Sequence, residues 1–205
     1  MSGDVVHGAL WANDLARLSH PGASRGQYSM VEVRPPCLVL RLARAMAVEE
    51  SVVRERFERG CRVFAAWSGL DEALVSWLWV STGEEYAPPV RRTLRIPVGD
   101  CYGWDAGTVE LHRGRGLSAW LLEWAGSRMA TSGTSTMWNG IDDENLPSRR
   151  AHARAGFRPV LRVAAVHEPS RLRTWAADYA DERLVARACQ LLGVVRTASR
   201  TRRAA

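Results

Sequence analysis

The stretch HRGRGLSAWLLEW, residues 112–124, decides the fold of this chain because a glycine-rich turn in it runs directly into a helix. Gly114 and Gly116 let the backbone bend tightly and approach a ligand with no side chain in between. Free N–H groups at the start of a helix form a seat for an anion, and Arg113 and Arg115 add charge-assisted hydrogen bonds. The stretch therefore predicts a pyrophosphate site, although a basic turn that binds no ligand has the same local sequence.

Two common phosphate-binding motifs fit this turn poorly. A P-loop requires a lysine, and all 28 of the lysine-plus-arginine residues in this chain are arginine. A dinucleotide fingerprint can be aligned, since Gly114, Gly116 and Ala119 match G-x-G-x-x-A. That fingerprint belongs at the start of a parallel β-α-β unit whose second strand ends in an acid. Here hairpin-like strands come first, and the later strand TSTMWNG, residues 134–140, ends without an acid.

Composition favours one soluble domain. With 205 residues, 46% of them hydrophobic, and nine tryptophans, the chain can bury a full core. It contains no run of about 18 apolar residues that would span a membrane, and its first residues lack the apolar segment of a secretory signal. The four cysteines are scattered and form no CxxC pair, so we expect reduced thiols, no metal site and a cytoplasmic location. Arginine in place of every lysine is typical of a GC-rich bacterial genome.

The charge of the chain is +6, with a pI near 9.8, which raises the question of nucleic-acid binding. Four arginines, however, fall in the last ten residues, RTASRTRRAA, which are typical of a solvated tail. Nucleic acid is therefore not the expected partner.

Hydrophobic periodicity and turn residues predict the following elements. Helices are expected over 8–19, 48–60, 115–130, 144–157 and about 171–193, strands over 37–44, 61–69, 73–82, 100–111, 134–141 and 161–168, and a long loop over 83–99. In the strand over 100–111, Gly103 and Gly107 suggest a bulge. Consecutive strands favour antiparallel hairpins and the later alternation favours parallel crossovers, so we expect a mixed sheet in an α/β or α+β fold.

The glycine-arginine turn resembles the acetyl-CoA pyrophosphate motif R-x-x-G-x-G/A of the GNAT N-acetyltransferase superfamily. Arg113 and Gly116 match that motif, and Ser118 replaces its final glycine or alanine with another small residue. The motif lies at the junction of the fourth strand and the third helix of that fold, which is where the element order places it here.

A second segment, NLPSRRAHARAGF at 145–157, resembles the later coenzyme-side motif N-x-x-A/S-x-x-x-Y-x-x-x-GF of the same superfamily. Asn145, Ser148 and the Gly-Phe pair are in register, and His152 takes the position of the tyrosine. The two motifs occur in the right order on the right elements. The resemblance covers about residues 37–166.

The resemblance implies a GNAT-like, mostly antiparallel central sheet flanked by helices, with a splayed pair of strands that binds acyl-CoA. Residues 1–36 would form an N-terminal extension, 37–166 the acetyltransferase domain, and 167–205 a C-terminal helix and basic tail. By the same resemblance, backbone groups around 106–109 bind the pantetheine arm and the turn binds the pyrophosphate. The implied coenzyme-binding residues are Thr108, Val109, Arg113, Gly114, Arg115, Gly116, Leu117, Ser118, Asn145, Ser148 and His152.

Catalytic roles follow from the same resemblance. His152 replaces a tyrosine that commonly protonates the leaving thiolate, so it is either the general acid or a histidine that only packs beside the coenzyme. Asp105, beside the expected bulge, is the first candidate for the base, and Asp100 replaces it if the bulge shifts the register.

The implied function is an acyl-CoA-dependent N-acyltransferase that uses acetyl-CoA or another acyl-CoA as co-substrate, with no metal. The alternative is a GNAT-fold protein that binds coenzyme A without catalysis. The acceptor is a small-molecule or peptide amine that the sequence does not identify. Trp77, Trp79 and Trp104 belong either to the core or to the acceptor pocket, and the segment 84–99 is either a solvated loop or a lid. The last helix packs over the sheet or forms a homodimer contact.

Overall fold

The computed structural model describes residues 5–17, 21–166 and 171–195. Its strands are β1 (Val5–Asp14), β2 (Ser24–Arg25), β3 (Tyr28–Val33), β4 (Arg62–Ser68), β5 (Ala73–Ser81), β6 (Glu84–Ala87), β7 (Arg92–Arg95), β8 (Asp100–Thr108), β9 (Thr136–Asp142), β10 (Arg158–Val166) and β11 (Arg171–Ala176). Its helices are α1 (Val39–Met46), α2 (Glu50–Glu58), α3 (Leu117–Thr131), α4 (Leu146–Arg154) and α5 (Glu182–Leu192).

Nine of these strands form one sheet in the order β11-β10-β1-β9-β8-β5-β4-β3-β2, and β6 and β7 form a separate hairpin. Within the described residues, β8 and β9 are the only parallel neighbours of the large sheet. The expectation of a mixed, mostly antiparallel sheet flanked by helices is confirmed.

Helices cover both faces of the sheet. On the first face, α3 and α4 pack over a core that includes Phe64, Met137 and Phe157. On the second face, α1 and α2 cover one half of the sheet, and α5 with the β6–β7 hairpin covers the other half. Trp104 packs against both clusters of the second face and joins them.

The predicted helix over 8–19 is wrong, because most of this segment is the central strand β1, between β10 and β9. Residues 9–13 are all buried, since a central strand is covered on both faces and shows no polar alternation. Strand β3 likewise belongs to the sheet. The expected boundary at residue 37 therefore does not set an N-terminal extension apart from the sheet. Residues 1–4, 18–20 and 167–170 lie outside the described residues, as does the predicted basic tail.

Three further element predictions are corrected. The predicted strand over 37–44 is mostly helix α1, whose buried residues Val39, Leu42 and Ala43 have the i, i+3, i+4 spacing of a helix. The predicted loop over 83–99 contains the β6–β7 hairpin. The predicted helix from about 171 begins instead as strand β11, and α5 starts only after Asp181, which caps it by accepting hydrogen bonds from the backbone N–H groups of Arg183 and Leu184.

The predictions for the middle of the chain are confirmed, with boundaries shifted by a few residues. They comprise helix α2, the antiparallel β4–β5 pair, strand β8 with its bulge, helix α3, strand β9, helix α4 and strand β10. Asn145 is the N-cap of α4. Among the helices that the structure describes, none is both long and apolar enough to span a membrane.

Candidate active site

The centre of the candidate site is the point where the parallel strands β8 and β9 separate. Their pairing runs from Asp100 opposite Thr136 to Gly103 opposite Asn139, and no pair beyond these four is present in the described ladder. At the last pair, the Asn139 side-chain amide donates a 2.9 Å hydrogen bond to the Gly103 carbonyl oxygen. Asn139 Oδ1 is buried and has no partner within the described part of the chain. The strands therefore open into a wedge that contains an unused hydrogen-bond acceptor.

A β-bulge lies on β8 just beyond this point. Trp79 of β5 pairs with Trp104 and Trp77 pairs with Gly107, so two residues of β8 lie opposite one of β5. Asp105, inside the bulge, has a left-handed backbone with φ of 41°. A bulge leaves backbone groups out of the ladder, and such a free N–H can stabilise negative charge on a reacting carbonyl oxygen.

The splayed end of β8 is fixed by side chains of β5. Ser76 Oγ donates to the Gly107 carbonyl oxygen at 2.8 Å and lies 2.9 Å from Thr108 Oγ1. The Val109 N–H donates to the Val75 carbonyl oxygen at 2.9 Å. The strand that leads into the glycine-arginine turn is therefore held rigidly along one edge, and its other edge faces the wedge.

The turn itself has the geometry of an anion seat. Gly114 and Gly116 have φ of 76° and 75°, and Gly116 is the N-cap of α3. A Cβ added at either glycine would meet no atom within 4 Å in the structure. The first helical N–H with a backbone acceptor is that of Trp120, which donates to the Gly116 carbonyl oxygen. The N–H groups of residues 117–119 therefore point out of the helix end, as helix geometry requires.

His112, which the sequence analysis did not single out, anchors this turn. Its ring is buried, with Nδ1 3.1 Å from the Tyr28 hydroxyl and Nε2 3.5 Å from Asp71 Oδ2. Tyr28 belongs to β3, and Asp71 lies in the connection between β4 and β5. A histidine beside a glycine-rich turn is the sequence signal, but it does not reveal these distant partners.

The predicted coenzyme-binding residues form two groups in the structure. Thr108, Val109 and residues 113–118 follow one another around the end of β8 and the start of α3. Asn145, Ser148 and His152 lie on α4 or at its N-cap, and α4 packs against α3. The Asn145 side chain accepts a 3.1 Å hydrogen bond from the Ser148 N–H, which leaves its amide group for another partner. That these residues contact a coenzyme stays a prediction.

Of the two roles expected for His152, general acid or packing histidine, its surroundings in the free protein favour the second. It is buried, its Nδ1 lies 2.8 Å from the Ser148 carbonyl oxygen, and Nε2 has no partner among the residues described. Burial lowers the pKa of His152 to about 4, against which the hydrogen bond to Ser148 is the smaller effect. The ring is therefore neutral near pH 7, with Nδ1–H donating and Nε2 left as an acceptor.

The two candidate bases occupy different environments. Asp105 and Trp104 would point to opposite faces of a regular strand, but the bulge brings both to the second face. There Asp105 forms an ion pair with Arg56 of α2, whose guanidinium lies 4.7 Å from the Trp104 ring centre. The site therefore places the Asp105 carboxylate beside the wedge, opposite the face that carries α4 and His152.

Asp100 does not fit the predicted role of a base. It lies at the paired end of β8, where its side chain is fully buried. Its carboxylate accepts hydrogen bonds from Trp138 Nε1 at 2.9 Å and from Arg187 of α5 at 2.5 Å. Both oxygens are thus already engaged, and the ion pair holds α5 on the sheet.

The three tryptophans predicted for the core or the acceptor pocket lie on β5 and β8. Trp79 is fully buried and stacks on Trp104 at 6.0 Å, and the Trp77 ring packs directly over Gly107. These contacts favour the core interpretation.

The fold matches known structures, although the sequence alone identifies no relative. No protein-family model and no curated protein matches the chain. A GCN5-related N-acetyltransferase from Sphaerobacter thermophilus superposes with a TM-score of 0.60 at 14% identity, covering 85% of this chain and 53% of that one. A GCN5-related N-acetyltransferase from Kribbella flavida gives 0.53 at 17% identity, covering 77% and 56%.

A tandem GNAT protein from the clavulanic acid biosynthesis pathway gives a TM-score of 0.55 at 16% identity, covering 88% of this chain and 56% of that one. The chain thus spans little more than half the length of these three structures. At these identities the likeness shows the fold, and the predicted GNAT fold is confirmed.

Proposed function

We propose that this protein is an acyl-CoA-dependent N-acyltransferase, with acetyl-CoA as the acyl donor. The observation that carries the proposal is the wedge between β8 and β9, which runs into a left-handed glycine turn at the N-terminus of α3. A bound acyl-CoA supplies an activated thioester. The chain supplies unpaired N–H groups at the turn for a pyrophosphate and an open strand edge for a chain of amides.

Two buried acceptors also fit such a ligand. Asn139 Oδ1 and His152 Nε2 have no partner within residues 5–17, 21–166 and 171–195. A buried acceptor without a donor costs about 1–3 kcal/mol, so both atoms fit a ligand that brings N–H or O–H donors. The pantetheine arm carries such donors in its amides and its hydroxyl group.

The transfer itself needs little from the protein beyond positioning. The amine nitrogen forms a bond to the acyl carbon, the C–S bond breaks, and its electron pair goes to sulfur. Asp105 accepts the proton from the amine, directly or through water. Because His152 is neutral near pH 7, water protonates the thiolate. His152 instead orients the coenzyme by accepting a hydrogen bond at Nε2.

The alternative is a protein that binds coenzyme A without turnover. The neutral state of His152 and the pairing of Asp105 with Arg56 favour this alternative, because both limit proton transfer. Release of free thiol from acetyl-CoA in the presence of an amine panel separates the two. A non-catalytic binder shows affinity for coenzyme A and no amine-dependent thiol release.

The binding site is tested with Gly116→Ala, compared with Gly133→Ala as a matched control. Both glycines have positive φ, 75° and 87°, both have open space around the position of a Cβ, and they lie at opposite ends of α3. Both substitutions add backbone strain of about 1–2 kcal/mol. Only the methyl group at position 116 would stand beside the N–H groups that hold the pyrophosphate.

Titration calorimetry with coenzyme A measures the result. We expect Gly116→Ala to weaken binding by about tenfold or more, which corresponds to losing one charge-assisted contact. Gly133→Ala should bind as the wild type does. Equal affinity in both variants, or no binding by the wild type, would contradict the proposed site.

A further inference from the structure

A cavity of about 120 Å³ opens on the second face of the sheet, on the β9 side of the wedge. Its walls are apolar and come from β1, β10, the β6–β7 hairpin and α5; they include Val6, Leu10, Val90, Leu94, Val163 and Leu192. The lining residues with polar side chains are Tyr102 and Asp142. The cavity is thus an apolar chamber with one tyrosine and one aspartate among its lining residues.

The position of the cavity relates it to the wedge. Tyr102 immediately precedes Gly103, the last residue of β8 that pairs with β9. Gly140, which also lines the cavity, directly follows Asn139, the last residue of β9 that pairs with β8, and Asp142 lies three residues beyond Asn139. The Tyr102 hydroxyl forms a hydrogen bond with the Gly140 backbone, and burial raises its pKa to about 12, so it remains protonated. The cavity therefore adjoins the opening of the strands, on the face opposite α3 and α4.

Asp142 differs from the other aspartates around the wedge in its partners. Asp100, Asp105 and Asp143 each pair with an arginine, whereas Asp142 has no ion pair among the described residues. Its carboxylate is exposed, and Oδ1 accepts a 2.8 Å hydrogen bond from the Glu144 N–H. Asp142 is thus a lining residue of the cavity whose carboxylate carries no arginine partner among the described residues.

The volume sets the size of the occupant. An apolar cavity of about 150 Å³ accepts a benzene molecule. By that measure this cavity admits a compact apolar group of about four to six carbon atoms. A polar group of that size would lose its hydration among walls that offer few hydrogen bonds.

We propose that this cavity binds the acyl acceptor, a primary amine with a compact apolar group of about four to six carbons. Its ammonium pairs with Asp142 on binding and gives up its proton to Asp105, directly or through water, before the nitrogen attacks the acyl carbon. The inference rests on the proposed function, because that function makes the opposite face of the wedge the place where an amine must approach. It also accounts for the charged group of the lining. Asp142 selects the charge, and the apolar walls select the group that carries it.

Direct binding of amines in the absence of any acyl-CoA tests the inference. The probes are 3-methylbutylamine, ethylamine and 3-methylbutanol, titrated into the full chain and followed by NMR chemical shifts. A pocket of this kind gains about tenfold or more with a fitting apolar group. We therefore expect 3-methylbutylamine to bind at least tenfold more tightly than ethylamine, and more tightly than the uncharged alcohol.

Two variants locate the site, with a third as control. Asp142→Asn keeps an oxygen for the Glu144 N–H and removes the charge. Because this carboxylate is exposed, the amine should bind about two- to fivefold more weakly, and the alcohol should bind as before. Val90→Phe fills the cavity from the half-buried hairpin turn and should abolish the preference for 3-methylbutylamine. Asp143→Asn, beside the site but paired with Arg162, should change neither.

The outcomes separate the inference from the function on which it rests. If coenzyme A binds and other amines are acylated, but 3-methylbutylamine binds no better than ethylamine, the inference fails and the proposed function stands. The inference also fails if Asp142→Asn and Asp143→Asn have the same effect. If the amines bind as expected but no acyl transfer occurs with any of them, the proposed function fails and the amine site remains.

Discussion

His152 makes the stability of this protein depend on pH in a way that a single substitution can isolate. Its ring is buried against Phe157, with ring centres 5.1 Å apart, and burial lowers its pKa to about 4. In the unfolded chain the same histidine titrates near its ordinary pKa of about 6.5. Below pH 6.5 this histidine binds a proton in the unfolded state but stays neutral in the folded state until the pH approaches 4, so lowering the pH favours unfolding. The perturbation that tests this is His152→Gln, which replaces the titrating imidazole with a neutral, polar amide.

The magnitude follows from the two pKa values. The free energy of unfolding has its full value, as far as His152 is concerned, above pH 6.5. It decreases as the pH falls from 6.5 towards 4. Since one pKa unit corresponds to about 1.4 kcal/mol, the whole difference is about 3 kcal/mol. About 2 kcal/mol of it is lost between pH 7.5 and pH 5.0.

Urea unfolding at pH 7.5 and pH 5.0, for the wild type and for His152→Gln, measures this quantity. Carboxylates that titrate in the same range affect both proteins equally. Their contribution therefore cancels when the change in unfolding free energy of the variant is subtracted from that of the wild type. We expect the wild type to lose about 2 kcal/mol more than the variant. An equal loss in the two proteins would refute the assignment of a neutral, buried imidazole, and with it the argument that His152 is no acid near pH 7.

Two further substitutions test how the site is held. Gly107→Ala would place a methyl group 2.1 Å from the Trp77 ring, so the ring must move. We expect the free energy of unfolding, measured by urea titration, to fall by about 1–3 kcal/mol. An unchanged value would contradict the close packing. Arg187→Ala would leave the buried Asp100 carboxylate without its cation. Because the Arg187 side chain is itself 35% exposed, we expect the free energy of unfolding to fall by about 3 kcal/mol, the lower end of the range for broken buried pairs. Adding Asp100→Asn to that variant should restore much of the loss, and no recovery would mean that the charge is not the cause.

The sequence predicted the parts of the fold whose signals are local. The helix after the glycine-arginine turn, the β4–β5 hairpin and the capped helix α4 each carry their own boundary residues, and each was correct. Strand β1 was missed because residues 9–13 are buried on both faces, and a continuous apolar run of that length does not distinguish a strand from a helix. Helix α1 was missed because an eight-residue segment with alternating side chains satisfies both patterns.

The candidate site was predictable to a similar degree. The turn with Gly114 and Gly116 was identified because positive φ demands glycine at those positions. The pairing of Asp105 with Arg56 was not, because a bulge reverses the side on which a residue points and its partner lies on a distant helix. Asp142 carried no signal in the sequence. Only the folded chain shows that Asp100, Asp105 and Asp143 each pair with an arginine, whereas Asp142 has no such partner among the described residues.

The position of β1 has a consequence for the order in which the chain assembles. Val5 pairs with Val166 and Gly8 with Asp142, so this strand has to wait for partners from the far part of the sequence. Until it inserts, β9 and β10 each expose an unpaired edge, and such edges invite intermolecular pairing. We therefore expect the insertion of β1 to be the late step that protects the protein from aggregation. A synthetic peptide with the sequence VVHGALWAND should rescue a chain that lacks residues 1–14 by filling that gap in trans.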